Sequence, residues 1–589
     1  MSHRGGQGQV IGRHRGARRA CGILTTAIAA VMVAACQPAP GETADPGGEA
    51  ADLIVTNGRV FVGDEQGTTA QAVAIKGHLI TRVGTEADIA ALRGPGTRVI
   101  DAHGGTVAPG FNDAHVHFLS GGQSLGDVDL AGLTTLREVQ AAISAFASSK
   151  PADDWVKGRG WLYSPFPGGS PTRAQLDEIV PDRPAVMTCY DGHSVWVNSR
   201  VLALAGITRD TPNPPNGVIV KDPKTGEPTG HLKEAAMDLI DPVLPKVTDD
   251  DRRAALRAAV AHALKYGITS IQNAGGSLED IHLFDQARRA GELRVRSYLA
   301  TAATAATTEA DVDRMDALWK QLGDDPTVRT GIVKMFADGV IESRTAAMLA
   351  PYSNSASAGE PNLSAEELTR IVTMFDKRGW QVQIHAIGDR AIRMALDAFE
   401  HAAKVNPAPA RGRRHRLEHI ETIDAADIPR FAALGVIASQ QPMHVALGDM
   451  NTAKPSGPWP DNIGPARASR AWAWPQIQAA GGRIAFGSDW PVAPLEVGQG
   501  LWLAINRVSQ AGGQAQSMSV ADALRGYTTW PAYASFDELR KGTIAAGMLA
   551  DLVVLTSDIT AKPPTRPDDV VVSATIFDGQ VAYERPPGR

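Results

Sequence analysis

The sequence predicts an α/β fold: a (β/α)8 TIM barrel with a small β-sandwich domain formed from both chain ends and an insertion after the first barrel strand. Three observations carry this. Eight apolar or β-branched runs recur through the middle of the chain, each followed by a polar or glycine-containing loop. Helical patterns lie between several of them, and strands alternating with helices in that number argue a closed parallel barrel. Short β-rich runs at the two ends share a different character, that of successive hairpins. With 589 residues, 43% of them hydrophobic, the chain can bury a barrel-sized core, which excludes disorder and collagen-like structure.

Taken in order, residues 1–36 carry Arg4, Arg13, Arg15, Arg18 and Arg19 with no acidic residue, ahead of an apolar stretch from Ile23 to Ala35. This is a signal-peptide pattern, and the stretch falls short of the roughly 20 residues that span a bilayer. Val33-Ala34-Ala35-Cys36 resembles the bacterial lipobox; the alternative is an ordinary small-residue cleavage site that contains a cysteine. The expectation is an exported, periplasmic lipoprotein anchored to the membrane through Cys36. Arg18-Arg19 matches a twin-arginine signal poorly. Cleavage would remove Cys21 and lipidation would consume Cys36, so Cys189 alone remains and neither a disulfide nor a cysteine metal site can form. Residues 37–51, rich in Pro, Gly, Ala and Glu, read as a flexible tether.

Residues 52–107 and 542–589 form the expected small sheet domain. Its runs include Leu53-Ile54-Val55, Ala72-Val73-Ala74-Ile75 and Leu79 to Val83, punctuated by Asn57-Gly58 and Gly77, and at the far end Asp551 to Leu555 and Val571 to Phe577. The barrel occupies residues 108–541. Its strand candidates are Thr106 to Phe111, Gly267 to Gln272, Val295 to Ala300, Gly331 to Phe336, Gln381 to His385, Arg416 to His419, Gly435 to Ser439 and Ile484 to Gly487. The clearest helix, Ser364 to Arg378, opens with Ser364 and Glu367 in capping-box spacing and carries Leu368, Ile371, Val372 and Phe375 on one face. The insertion, about Phe118 to Tyr266, holds Trp155, Trp161, Phe166, Tyr190 and Trp196. It reads as a subdomain with its own packing, as a lid over a substrate pocket, or as both.

A net charge of -6 with no basic run in the body of the chain argues against nucleic acid as a partner. In His115-Val116-His117, residues two apart on an extended segment point to one side, so both imidazoles can reach one metal ion. Lys334, His385, His419 and Asp489 hold the same position, at the carboxyl ends of candidate strands four, five, six and eight, where barrel active sites are built. Each alone reads as a buried histidine, a loop cap or a surface lysine; together they read as a metal site.

The chain resembles the amidohydrolase superfamily, in the YtcJ-like branch related to N-substituted formamide deformylases, from Asp52 to the C-terminus. The resemblance rests on Ala108 to His117, Asp191-Gly192-His193-Ser194-Val195-Trp196-Val197-Asn198-Ser199, Val333 to Gly339, His385 to Ala391, Gln440-Gln441-Pro442-Met443-His444 and Gly542 to Leu555. Asn112 departs from the apolar residue usual at its position. The resemblance implies that His115, His117 and Asp489 bind one divalent metal, that His385 and His419 bind a second, and that a carbon dioxide-derived carbamate on Lys334 bridges them. An imidazole-rich donor set suits zinc. The competing arrangement is a mononuclear, deaminase-like site with Lys334 as a free amine.

The implied reaction is hydrolysis of a carbon–nitrogen bond in a small amide, substituted formamide or N-acyl compound, by a metal-activated hydroxide with Asp489 as general base. Hydrolysis of a cyclic amide or lactone, and a non-catalytic lipid-anchored binding protein, are the alternatives; a homo-oligomer is left open. His193 is expected to stabilise the developing oxyanion and Trp196 to wall the pocket, with Asp338, Arg344 and Gln441 as further substrate contacts; a buried, hydrogen-bonded loop is the other reading of these residues. Glu234 has similar standing, and Asp389 either orients a ligand or ties its loop to Arg390.

Overall fold

The computed structural model describes residues 49–586, apart from 152–153, 448–451 and 509–515. The expected signal segment with Cys36, and residues 37–48 of the expected tether, lie outside the described residues. The chain is held slightly before Asp52, since the Ala51 N–H donates to the Leu92 carbonyl and Ala51 is buried.

Eight parallel strands form the central sheet: β1 (Phe111–Val116), β2 (Ile268–Asn273), β3 (Arg296–Ala302), β4 (Val328–Phe336), β5 (Gln381–Ala386), β6 (Arg416–His419), β7 (Ile437–Gln440) and β8 (Arg483–Phe486). Each pairs with the next, and the turn after β8 closes the ring onto β1. There the Asp489 N–H donates to the His115 carbonyl at 2.7 Å and the Ser488 N–H to Asp113 Oδ1 at 2.9 Å. Gly487 permits this approach, because a Cβ there would lie 2.4 Å from the His115 nitrogen.

Two strands differ from the sequence reading at a glycine, and β4 begins three residues earlier than read, at Val328. The run Thr106 to Phe111 is split at Gly110: Thr106–Pro109 belongs to the small domain, and the barrel strand begins at Phe111. His115 therefore lies inside β1, while His117 follows it and precedes the helix Phe118–Ser124. Gly435 is not in a strand but ends the helix Ile428–Leu434 in a left-handed conformation with φ 65°, which glycine adopts freely. The helix Ala365–Lys377 forms as expected, with Ser364 and Glu367 making the reciprocal capping-box bonds.

The small domain is two sheets. One orders Leu79–Gly84, Ala72–Lys76, Leu53–Thr56 and Arg98–Asp101; the other orders Gln580–Glu584, Val572–Phe577, Leu552–Leu555, Thr106–Pro109, Arg59–Phe61 and Thr69–Ala70. Leu53, Val55 and Ile75 of the first share one apolar core with Val60, Val107, Leu552 and Ile576 of the second. The sandwich is fastened to the barrel by Arg296 of β3, whose buried guanidinium donates to both oxygens of Asp551 and to Asp578.

The insertion is shorter than the sequence suggests. Helix Asp249–Lys265 belongs to the barrel layer, its Leu256, Val260 and Leu264 packing with Phe111, Ile268 and Val295. What precedes it forms a six-stranded sheet: Gly217–Lys221, Pro228–Glu234, Ser194–Val197, Ala185–Cys189, Val156–Trp161 and Val128–Asp129. Trp161, Phe166 and Trp196 fill a core on that sheet.

Candidate metal centre and its cavity

At the carboxyl ends of the barrel strands, Asp489 gathers the imidazoles that the sequence scatters. Its Oδ1 lies 3.3 Å from His115 Nε2 and 3.2 Å from His117 Nε2; its Oδ2 lies 3.3 Å from His444 Nε2 and 4.0 Å from His419 Nδ1. Two donor groups thus share one carboxylate: His115, His117 and Asp489, and His419, His444 and Asp489. The backbone is bent to achieve this. Asp489, His419 and Ile420 have φ of 62°, 71° and 52°, a region uncommon for a non-glycine residue and costing about 1–3 kcal/mol.

Both ring nitrogens of His419 and Oδ1 of Asp489 are buried without a hydrogen-bond partner among the described residues. Buried polar atoms are nearly always satisfied, so converging orphan lone pairs fit a cation that they would coordinate. The outer partners of the rings agree with that fit. His115 Nδ1 lies 2.5 Å from Glu418 Oε2, and His444 Nδ1 lies 3.3 Å from Glu421 Oε1. With a cation at the centre, a proton on Nδ1 would leave the Nε2 lone pair facing it in each case; with none, burial would lower the His444 imidazole but Asp489 and Glu421 raise it to about 9. His385 Nε2 sits 3.1 Å from the Gly339 carbonyl, leaving Nδ1 as its lone-pair nitrogen, and the ring packs 4.5 Å from that of His419.

His385 therefore lies beside the cluster, in neither donor group, and His444 takes the place beside His419 that sequence reasoning gave to it. His444 lies four residues beyond β7, away from the strand ends at which the sequence places its candidate donors. Lys334 Nζ is 3.5 Å from His115 Nε2 and 4.4 Å from the centre of the Phe336 ring, with no carboxylate in ion-pair contact among the described residues. Burial pushes the amine down to about 8. Burial acting alone would raise Asp489, but His115, His117 and His444 hold its carboxyl well below the ordinary value.

Glu418, absent from the sequence-level site, supports the cluster from inside the barrel. Arg416 Nε donates to its Oε1 at 2.9 Å and Nη2 to its Oε2 at 3.1 Å, and both side chains are fully buried. Burial would raise this carboxyl; the Arg416 charge and His115 hold it far down.

Over the cluster opens a cavity of about 240 Å³, with Phe336, Val340, Ile387 and Leu447 as its apolar wall and Arg159, Asp191, His193 and Glu342 among its polar groups. His193 Nδ1 is 2.8 Å from Glu234 Oε2. Burial alone would lower the imidazole, but the Glu234 carboxylate raises it to about 9, so it is cationic at neutral pH.

Four expected substrate contacts are not at the cavity. Trp196 is buried in the insertion core, its indole N–H donating to the Thr172 carbonyl at 2.8 Å. Asp338 accepts from the N–H groups of Ala347, Ile387 and Gly388, and this ties two loops together. Burial nonetheless raises its carboxyl to about 7. Arg344 is exposed and donates to Asn462 Oδ1 at 3.1 Å, while Gln441 is wholly buried outside the cavity lining. Asn198 caps the helix Ser199–Leu204, and Asp389 accepts from the Leu349 N–H. Asp338, Arg344, Asn198 and Asp389 hold loops, which their residue types alone do not distinguish from binding.

A closed parallel barrel with a histidine-and-carboxylate cluster at its strand ends defines a class of protein, one built to hold divalent metal in a cavity. Within that class the chain belongs to the Amidohydrolase family, which it matches over residues 98–583. It is 32% identical to "Putative amidohydrolase YtcJ" of Bacillus subtilis (strain 168), over 90% of this chain and 98% of that one. It is 28% identical to "N-substituted formamide deformylase" of Arthrobacter pascens, over 91% and 98% respectively. The fold is shared with a crystal structure of an uncharacterized metal-dependent hydrolase from Pyrococcus horikoshii OT3, at a TM-score of 0.67 and 23% identity, covering 90% of this chain and all of that one.

Proposed function

We propose that this amidohydrolase cleaves carbon–nitrogen bonds other than peptide bonds, in a small amide, N-substituted formamide or N-acyl compound. The observation that carries the reading is Asp489, a buried, ionised carboxylate shared by two imidazole groups at the floor of the cavity. The likeness to a formamide deformylase supports the bond type.

His115, His117 and Asp489 would hold one divalent ion. His419 would hold a second with Asp489 and His444, and His385 would reach it through Nδ1. Lys334 would serve them as a carbamate: its neutral amine would add to carbon dioxide and lose a proton, giving an anionic group with two donor oxygens. The support is its burial beside His115 without a carboxylate partner, where an ammonium would repel a dication. Divalent ions at such a site acidify water and polarise a carbonyl.

Asp489 accepts the proton of the attacking water and delivers it to the departing nitrogen. Cationic His193, oriented by Glu234, donates a hydrogen bond to the carbonyl oxygen as negative charge develops on it. The products are an acid and an amine.

The test is a panel of amides given to metal-replete protein lacking residues 1–48, scored separately for acid, amine and ammonia. Acid and amine together support the reading; ammonia from a ring points to a deaminase, and binding without turnover makes the chain a receptor. Export and lipidation at Cys36 are part of the proposal for the whole chain. Its check is membrane fractionation, with Cys36→Ala expected to release the protein into the soluble fraction.

A further inference from the structure

Arg159 lines both the metal cavity and an outer groove that runs between the insertion and the barrel. The local backbone is shaped to aim it. In Val156–Trp161 the register with Ala185–Cys189 shifts between Arg159 and Trp161, and a bulge of this kind redirects a side chain. Glycines flank it on both sides. A Cβ at Gly158 would lie 2.5 Å from Met187 Sδ, and Gly160, with φ 95°, would bring one within 2.9 Å of the Ala131 nitrogen.

Neutral groups fix the guanidinium. Nε donates to the Pro491 carbonyl at 2.9 Å and Nη2 to the Tyr190 carbonyl at 3.3 Å. No carboxylate is in ion-pair contact with it among the described residues, and the acids whose charge reaches it are engaged, first of them Asp489, which the imidazoles of His115, His117 and His444 surround. Asp191 accepts from the Tyr163 hydroxyl and the His193 N–H, and Asp127 pairs with Lys157. A guanidinium has donors to spare beyond these two bonds, in a fork that matches a carboxylate. Holding such a cation in a partly buried wall costs desolvation free energy that an anionic partner offsets.

Resting on the hydrolase reading above, we infer that Arg159 binds a carboxylate carried by the substrate, so that the enzyme prefers N-formyl or N-acyl amino acids to neutral amides. The cavity then orients the substrate between two ends, its carboxylate on Arg159 and its amide carbonyl over Asp489 and beside His193.

The experiment pairs N-formyl amino acids with the N-alkylformamides that lack only the carboxylate. Metal-replete enzyme is expected to favour the acid at least tenfold in kcat/KM. Arg159→Gln should collapse that ratio towards one, mainly through KM, with Arg159→Lys intermediate. A wild-type ratio near one, or a ratio unmoved by Arg159→Gln, overturns the inference. Should neither compound be hydrolysed, the hydrolase reading fails and calorimetric binding of the N-formyl amino acid decides. Affinity at least tenfold weaker in a variant of wild-type Tm supports the Arg159 site; equal affinity overturns it. If Arg159→Gln does not fold, the same comparisons are made with Arg159→Lys, where a threefold loss is the threshold.

Discussion

Glu418 is a carboxylate enclosed by the barrel, its charge matched by Arg416 and one oxygen on His115 Nδ1. Its effect on the metal site runs through the tautomer and ring angle of His115, so Glu418→Gln is expected to weaken metal binding by roughly 10–100-fold while the protein stays folded. Competition titration with a chelating dye measures this, and unchanged affinity would remove Glu418 from the site. Lys334 gives a second expectation. Its folded-state value of about 8 lies below the ordinary 10.5, so the neutral amine becomes available through the pH range approaching 8 instead of only near 10.5. If the amine must add carbon dioxide, reconstitution of metal-stripped protein at fixed carbon dioxide pressure speeds up about tenfold per pH unit below that value and levels above it. A flat profile contradicts the carbamate. At this scale the sequence exposed His115, His117, Lys334, His419 and Asp489, since each stands at a strand end that hydrophobic patterning locates. It left Glu418 unread because it differs from its neighbours only in facing inward.

Elements explain the misreadings. Trp196 alternates along its strand into the core of the insertion, and nothing local says which face of that sheet meets the cavity. Trp196→Phe should cost about 1 kcal/mol through the lost bond to Thr172 and leave KM within about twofold, which urea unfolding and steady-state kinetics together check. A tenfold rise in KM would return it to the pocket. Gly388 precedes the helix Asp389–Val405, and a Cβ there would lie 2.1 Å from the Ala347 carbonyl oxygen. Gly388→Ala is expected to destabilise the protein by about 1–3 kcal/mol, because that atom is backbone and has little room to move. Wild-type unfolding in the same denaturant series would show the loop to be softer than its bonds to Asp338 suggest. Strand boundaries failed where a glycine does such work: Gly110 divides a continuous apolar run between two sheets, since a Cβ there would meet Thr269 at 2.2 Å.

At the scale of the molecule, Arg296 joins barrel to sandwich. Arg296→Ala leaves Asp551 buried without its cation, a loss of about 3–5 kcal/mol that should appear as a lower unfolding temperature. Adding Asp551→Leu should recover part of it, and failure to recover would mean that the packing of Arg296 against Phe577 dominates. By itself the sequence determined the eight-stranded barrel, the β-rich character of both chain ends and most of the side chains that gather around Asp489. All of these follow from periodicity and from position at strand ends, which are local properties. Only the tertiary structure decided that His444 joins His419, that Glu418 and Arg416 underlie His115, that Asp338 and Trp196 serve packing and that Arg159 faces the cavity. Those outcomes depend on bulges, left-handed residues and contacts between segments hundreds of positions apart, and no single stretch of chain encodes where its side chains arrive once the ring has closed.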